Sequence, residues 1–170
     1  MKISHPKGFT LVEMTLYVSI CSILLLSLSV FLTFLLGTRV RSQSITEVNQ
    51  QGFQVMNLIT ETIRNGRSIQ TPSIGTSSST LSLTTGNSLI DPTIFTLAST
   101  TIKIQEGSNI SVPLTNSRIK VSNFLFQNVS STSSTEKIIR ISFTIDYSNL
   151  SGKSEYTFTK DFIGSATLRQ

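Results

Sequence analysis

Apolar positions follow three different regimes along the chain. From Met14 to Leu36 the sequence MTLYVSICSILLLSLSVFLTFLL runs without a charge. As a helix that stretch is about 34 Å long, which matches the roughly 30 Å hydrocarbon core of a bilayer. Beyond it Ile45, Val48, Val55, Ile59 and Ile63 recur at helical spacing, with Gly52 in the skipped turn and Phe53 and Met56 widening the stripe. The spacing predicts one helix from about Phe9 to about Ser68, apolar all round in its first half and laying a stripe on a sheet in its second. Arg64 and Arg67 near its end suit the negative pole of the helix.

The segment Thr71-Pro72-Ser73-Ile74-Gly75-Thr76-Ser77-Ser78-Ser79 is turn-rich, and its proline forbids a helix running through it. Short β-branched and aromatic runs then alternate with turn clusters, as in an antiparallel sheet. Leu81 and Leu83 open the first run, and Ile94–Leu97 and Ile102–Ile104 flank a turn at Ala98-Ser99-Thr100. Ile119 and Val121 alternate in one phase and Phe124 and Phe126 in the other, so a β-bulge is expected at Asn123. Ile139, Ile141, Phe143, Ile145 and Tyr147 alternate without a slip, and Tyr156, Phe158 and Phe162 answer them across a turn from Asn149 to Lys153. The fold class expected is α+β, a long N-terminal helix packed on an antiparallel sheet.

Composition narrows the chemistry. Ser and Thr make up roughly 30% of the 170 residues and charged residues only 14%, a composition closer to an exported β-rich surface protein than to a cytosolic enzyme. His5 is the only histidine and Cys21, inside the apolar run, the only cysteine. A Ser-His-Asp triad, a Cys-His pair, a His/Cys metal site and an internal disulfide are therefore not expected, and no cofactor or metal is assigned. The net charge of +5 includes Lys2 and Lys7 at the extreme N-terminus, and the remaining cations lie singly or in loose pairs such as Arg118 with Lys120 or Lys137 with Arg140. A clustered basic surface is what nucleic acid requires, so it is not an expected partner.

The N-terminal apolar run is too long for a cleavable secretory signal, whose apolar core spans about 7–15 residues. What precedes it is more specific. A short basic leader, Met1 to Gly8, runs into Phe9-Thr10-Leu11-Val12-Glu13, and this junction resembles the class III signal of type IV pilins and pseudopilins. The resemblance implies cleavage by prepilin peptidase between Gly8 and Phe9, N-methylation of Phe9, and a role for Glu13 in filament assembly. It divides the chain into a leader (1–8), a transmembrane half-helix (9–36), an amphipathic half-helix (37–70), a linker (71–79) and a β-rich domain (80–170).

A carboxylate near a membrane span needs a partner, because a charged residue at mid-bilayer costs about 2.5–3.5 kcal/mol and less toward the interface. Cleavage would create an α-amino group of pKa about 8, four residues and about 6 Å before Glu13 along the helix. In the resembling family the glutamate of an incoming subunit pairs with the N-terminal amine of its neighbour. Partners implied are prepilin peptidase, other pilin or pseudopilin subunits, an inner-membrane assembly platform and the membrane itself. The location implied is a single pass through the inner membrane with the C-terminal domain outside, then a periplasmic or surface filament.

Major pilins commonly carry a proline at the position of Val30, whereas this chain has none between Pro6 and Pro72. With Pro113-Leu114-Thr115-Asn116, Asn123-Phe124-Leu125-Phe126 and the terminal Leu168-Arg169, the chain resembles J-type minor pseudopilins or W-type minor pilins. A structural subunit that starts or caps a filament is the first expectation, and a filament-tip module for adhesion, DNA uptake or substrate recognition the second. Two matches to S-x-x-K, Ser117–Lys120 and Ser134–Lys137, and sequons at Asn109, Asn128 and Asn149 are what this Ser/Thr-rich composition yields by chance, and no enzyme activity is expected.

Overall fold

The computed structural model describes residues 8–132, 136–148 and 157–169. The Asn149–Lys153 turn, Tyr156, Ser134, the Asn149 sequon and leader residues 1–7 lie outside these. The chain divides into two units, Met1–Val40 and Arg41–Gln170, and one helix, α1, Leu11–Asn65, runs from the first into the second. In its N-terminal stretch the most apolar 18-residue window has a mean hydropathy of 2.5 and no buried residue, so α1 is long and apolar enough to cross a membrane. Hydroxyls in this stretch donate to carbonyls one turn back, Ser19 to Thr15, Ser22 to Val18 and Thr33 to Val30, each at 2.8 Å. This local bonding leaves those hydroxyls satisfied without an outside partner.

Within the second unit α1 buries Ser44, Val48, Gly52, Val55, Ile59 and Ile63, one face at steps of three and four. Ser44 takes the core position where the apolar pattern placed Ile45, which is only half buried. The helix stops at Asn65, three residues short of the expected Ser68. Gly66 donates its N–H to the Ile63 carbonyl at 3.1 Å, and the Arg169 N–H reaches the Arg64 carbonyl at 3.2 Å, closing the last turn. Arg67 therefore lies beyond the helix, its N–H donated to the Thr84 carbonyl at 2.7 Å.

Among the described residues nine strands follow: β1 Ser68–Thr71, β2 Ser77–Ser78, β3 Leu81–Thr84, β4 Thr93–Ala98, β5 Thr101–Glu106, β6 Val112–Pro113, β7 Ile119–Asn128, β8 Ile138–Tyr147 and β9 Thr159–Thr167. They form two antiparallel sheets rather than one, ordered β1-β3-β4-β5-β6 and β2-β7-β8-β9. The Pro72 segment carries the chain from the first sheet to the edge of the second and back. Asn128, 3% exposed, holds it there. Its side-chain amide donates to the Pro72 carbonyl at 2.9 Å, its backbone N–H to Thr76 at 3.0 Å, and its carbonyl accepts from Gly75 at 2.9 Å. Gly75 sits at φ +76°, where a Cβ would be strained.

The expected bulge is present: the β7–β8 register shifts between Ser122 and Leu125, and Asn123 has φ +53°. Ser99, at φ 59°, opens the two-residue β4–β5 turn between the paired Ala98 and Thr101. Phe143 on β8 faces Phe162 on β9 in register, their rings stacked at 5.3 Å. The buried stripe of α1, Leu81, Leu83, Phe95 and Ile102 of the first sheet, and Ile139, Ile141, Phe143 and Ile145 of the second join one core. Two close approaches seat α1 on β9. A Cβ on Gly52 would overlap the Phe162 ring, and one on Gly164 would lie 2.7 Å from Met56 Sδ.

Candidate functional site

The residues assigned to processing and assembly lie together at the start of α1. Thr10 is the N-cap: its side-chain oxygen accepts the Glu13 N–H at 3.3 Å, and its carbonyl accepts the first helical bond, from Met14, at 3.2 Å. Thr10-Leu11-Val12-Glu13 thus has the spacing of a capping box. The Glu13 carboxylate does not complete the box; its Oε1 accepts from the Tyr17 hydroxyl one turn on, at 3.4 Å. Phe9, just before the cap, sets its ring edge-on to Tyr17 at a centroid distance of 6.3 Å.

From Gly8 to Leu36 Glu13 alone is half-buried, the others exposed. Phe9 itself is 71% exposed. A carboxylate in the first turn gains from the helix dipole, about 0.3–1 kcal/mol, and that alone would account for an acid at an exposed, solvated N-terminus. Here the acid opens a stretch with no other charge until Arg39. Among the described residues one long hydrogen bond is its side chain's only polar contact, and no cation pairs with it.

Gly8 differs from Gly52 and Gly164. A Cβ at Gly8 would meet nothing within 4 Å, so packing does not demand a glycine there. Cys21 is exposed on the helix surface. The S-x-x-K match at Ser117 falls in the turn before β7, without a helix. The Asn128 sequon is buried and its amide is committed to Pro72.

Sequence reasoning missed one feature. Arg64, Arg67, Lys137 and Arg169, separated by up to about a hundred residues, converge at the carboxyl end of α1. The Leu168 N–H donates to the Lys137 carbonyl at 2.9 Å, and that of Arg169 to the Arg64 carbonyl at 3.2 Å, which draws the last residues against both. Arg64 with Arg67 near the helix end and Leu168-Arg169 at the chain's end were its traces in the sequence. Comparison with family models, with curated proteins and with solved structures finds no match to this chain.

Proposed function

We propose that this chain is a minor pilin or pseudopilin. Prepilin peptidase cuts it between Gly8 and Phe9, and Phe9 is N-methylated. The span crosses the inner membrane once, leaving the strand-rich domain outside. An assembly platform then inserts it among other pilin subunits in a type IV pilus or a type II secretion pseudopilus, where it starts or caps the filament.

One observation carries the reading: an exposed apolar half-helix whose first turn holds a carboxylate with no cation partner among the described residues. Such a surface needs lipid before assembly and other subunits' helices after it. Glu13 then takes as partner the new α-amino group of a neighbouring subunit, an ion pair strengthened by the low dielectric around it. Gly8, which packing does not require, is explained as the residue the peptidase reads.

The test is processing. Co-expression with a prepilin peptidase should shorten the chain by the eight residues before Phe9 and add a methyl group to the new N-terminus, both read by intact-mass spectrometry. An unshortened chain in the presence of active peptidase refutes the proposal.

A further inference from the structure

Three surface clefts meet around the carboxyl end of α1, and arginines link them. Arg67 and Lys137 line the first, of about 270 Å³. Arg67 and Arg169 line the second, of about 540 Å³, and Arg169 and Arg64 the third, of about 310 Å³. No Asp or Glu lines any of them. Glu61 precedes Arg64 by one turn and Glu136 adjoins Lys137, but neither lines a cleft. Arg64, Arg67 and Arg169 are exposed and Lys137 is half buried.

Helix capping does not account for four cations. The negative pole of a helix amounts to about half a charge, and the N–H groups of Gly66 and Arg169 already meet two of its carbonyls. The global charge makes the same point. With Lys2 and Lys7 set aside, twelve basic residues stand against nine acidic ones, and these four exceed that excess of three. Outside the belt, and without Lys2 and Lys7, eight basic residues stand against nine acidic ones.

We infer that this belt binds the phosphate backbone of duplex nucleic acid, without reading its bases. Three of the four cations are arginines, whose planar forks match phosphate oxygens better than the point charge of lysine does. The cations form a line of linked clefts rather than one closed pocket, which suits a linear polyanion carrying a charge every ~1.7 Å. Side-chain donors such as Ser68, Asn65 and Thr167 also line the clefts, as in backbone contacts that position without specifying sequence. No aromatic residue lines them. Unpaired bases would find no stacking platform, so the site favours duplex over single strand. This goes beyond the filament reading and needs neither cleavage nor assembly.

The test uses the full chain in a zwitterionic-lipid nanodisc and a fluorescent random-sequence 30-bp DNA duplex, with polarisation followed across salt concentrations. Four phosphate contacts predict a slope of log K against log salt near ~−3.6, at about −0.9 per phosphate. Arg67→Gln with Arg169→Gln should flatten that slope by ~1.8. Arg118→Gln with Lys120→Gln, residues that line none of the clefts, should leave it unchanged. Absence of salt-dependent binding overturns the inference. So does an equal loss in both double variants, which signals diffuse charge, or tighter binding of a single strand of the same length. Competition by polyglutamate as effective as by unlabelled duplex also overturns it and points to an acidic protein partner.

Discussion

Gly52→Ala sets two effects of opposite sign against each other, and the packing of α1 on β9 decides between them. In an open helix interior, Ala is favoured over Gly by about 1 kcal/mol. At position 52 the added methyl would enter the space of the Phe162 ring. That ring cannot swing aside freely: Phe143 stacks on it at 5.3 Å, Phe53 meets it edge-on at 5.6 Å, and Lys160 Nζ stands 5.2 Å from its centroid. Overpacking a closed site costs about 1–3 kcal/mol, so the expected net change is a loss of about 1 kcal/mol. With an m-value of about 1–3 kcal/mol per molar urea, the midpoint of the domain beginning at Arg41 should fall by ~0.5 M. Urea unfolding followed by circular dichroism measures it. Phe162→Leu, which vacates the ring, should make the same Gly52→Ala change neutral or stabilising. A Gly52→Ala domain as stable as its parent, with Phe162 intact, refutes the close-approach argument.

Two further outcomes follow from the same unit. The domain starting at Arg41 lacks the apolar span and the sole cysteine, so it should be soluble, monomeric and folded, with a melting curve indifferent to chelator and reductant; a shift with either contradicts this. Asn128→Ala leaves the Pro72 carbonyl and the Ser130 N–H, 2.9 and 3.2 Å from the lost amide atoms, without that partner. At about 1–3 kcal/mol for each buried group left unmade, the loss should reach at least ~2 kcal/mol, with faster hydrogen exchange over residues 71–79. Unchanged exchange there would show that Asn128 does not hold the segment.

The elements that sequence made legible are those whose side chains answer to one local period. Val48, Val55, Ile59 and Ile63 repeat as a helix face, Ile139 to Ile145 as a strand face, and the phase slip at Asn123 marks a bulge. The division into two sheets was not legible, because it depends on which distant strand a short polar segment joins. Ser77 and Ser78 have no pattern of their own; they pair with Gln127 and Phe126 beside the Asn128 anchor. Ser44, not Ile45, takes the core position, so hydropathy alone does not select the buried edge of the stripe. At the N-terminus the junction at Gly8, Phe9 and Glu13 could be read from order alone. The cationic belt could not, since Arg64, Arg67, Lys137 and Arg169 meet only after the chain's end returns to the helix terminus.

The central claim is that Glu13 serves assembly rather than stability or insertion. Its side chain makes one 3.4 Å hydrogen bond within the described structure, so its removal costs the fold little. An apolar replacement also eases entry into the bilayer. The decisive measurement is the amount of Glu13→Ala subunit recovered in sheared filaments, relative to wild type, alongside its membrane level and N-terminal mass. The account predicts normal insertion, normal cleavage to Phe9 and exclusion from filaments. A variant that enters filaments at the wild-type level would contradict it.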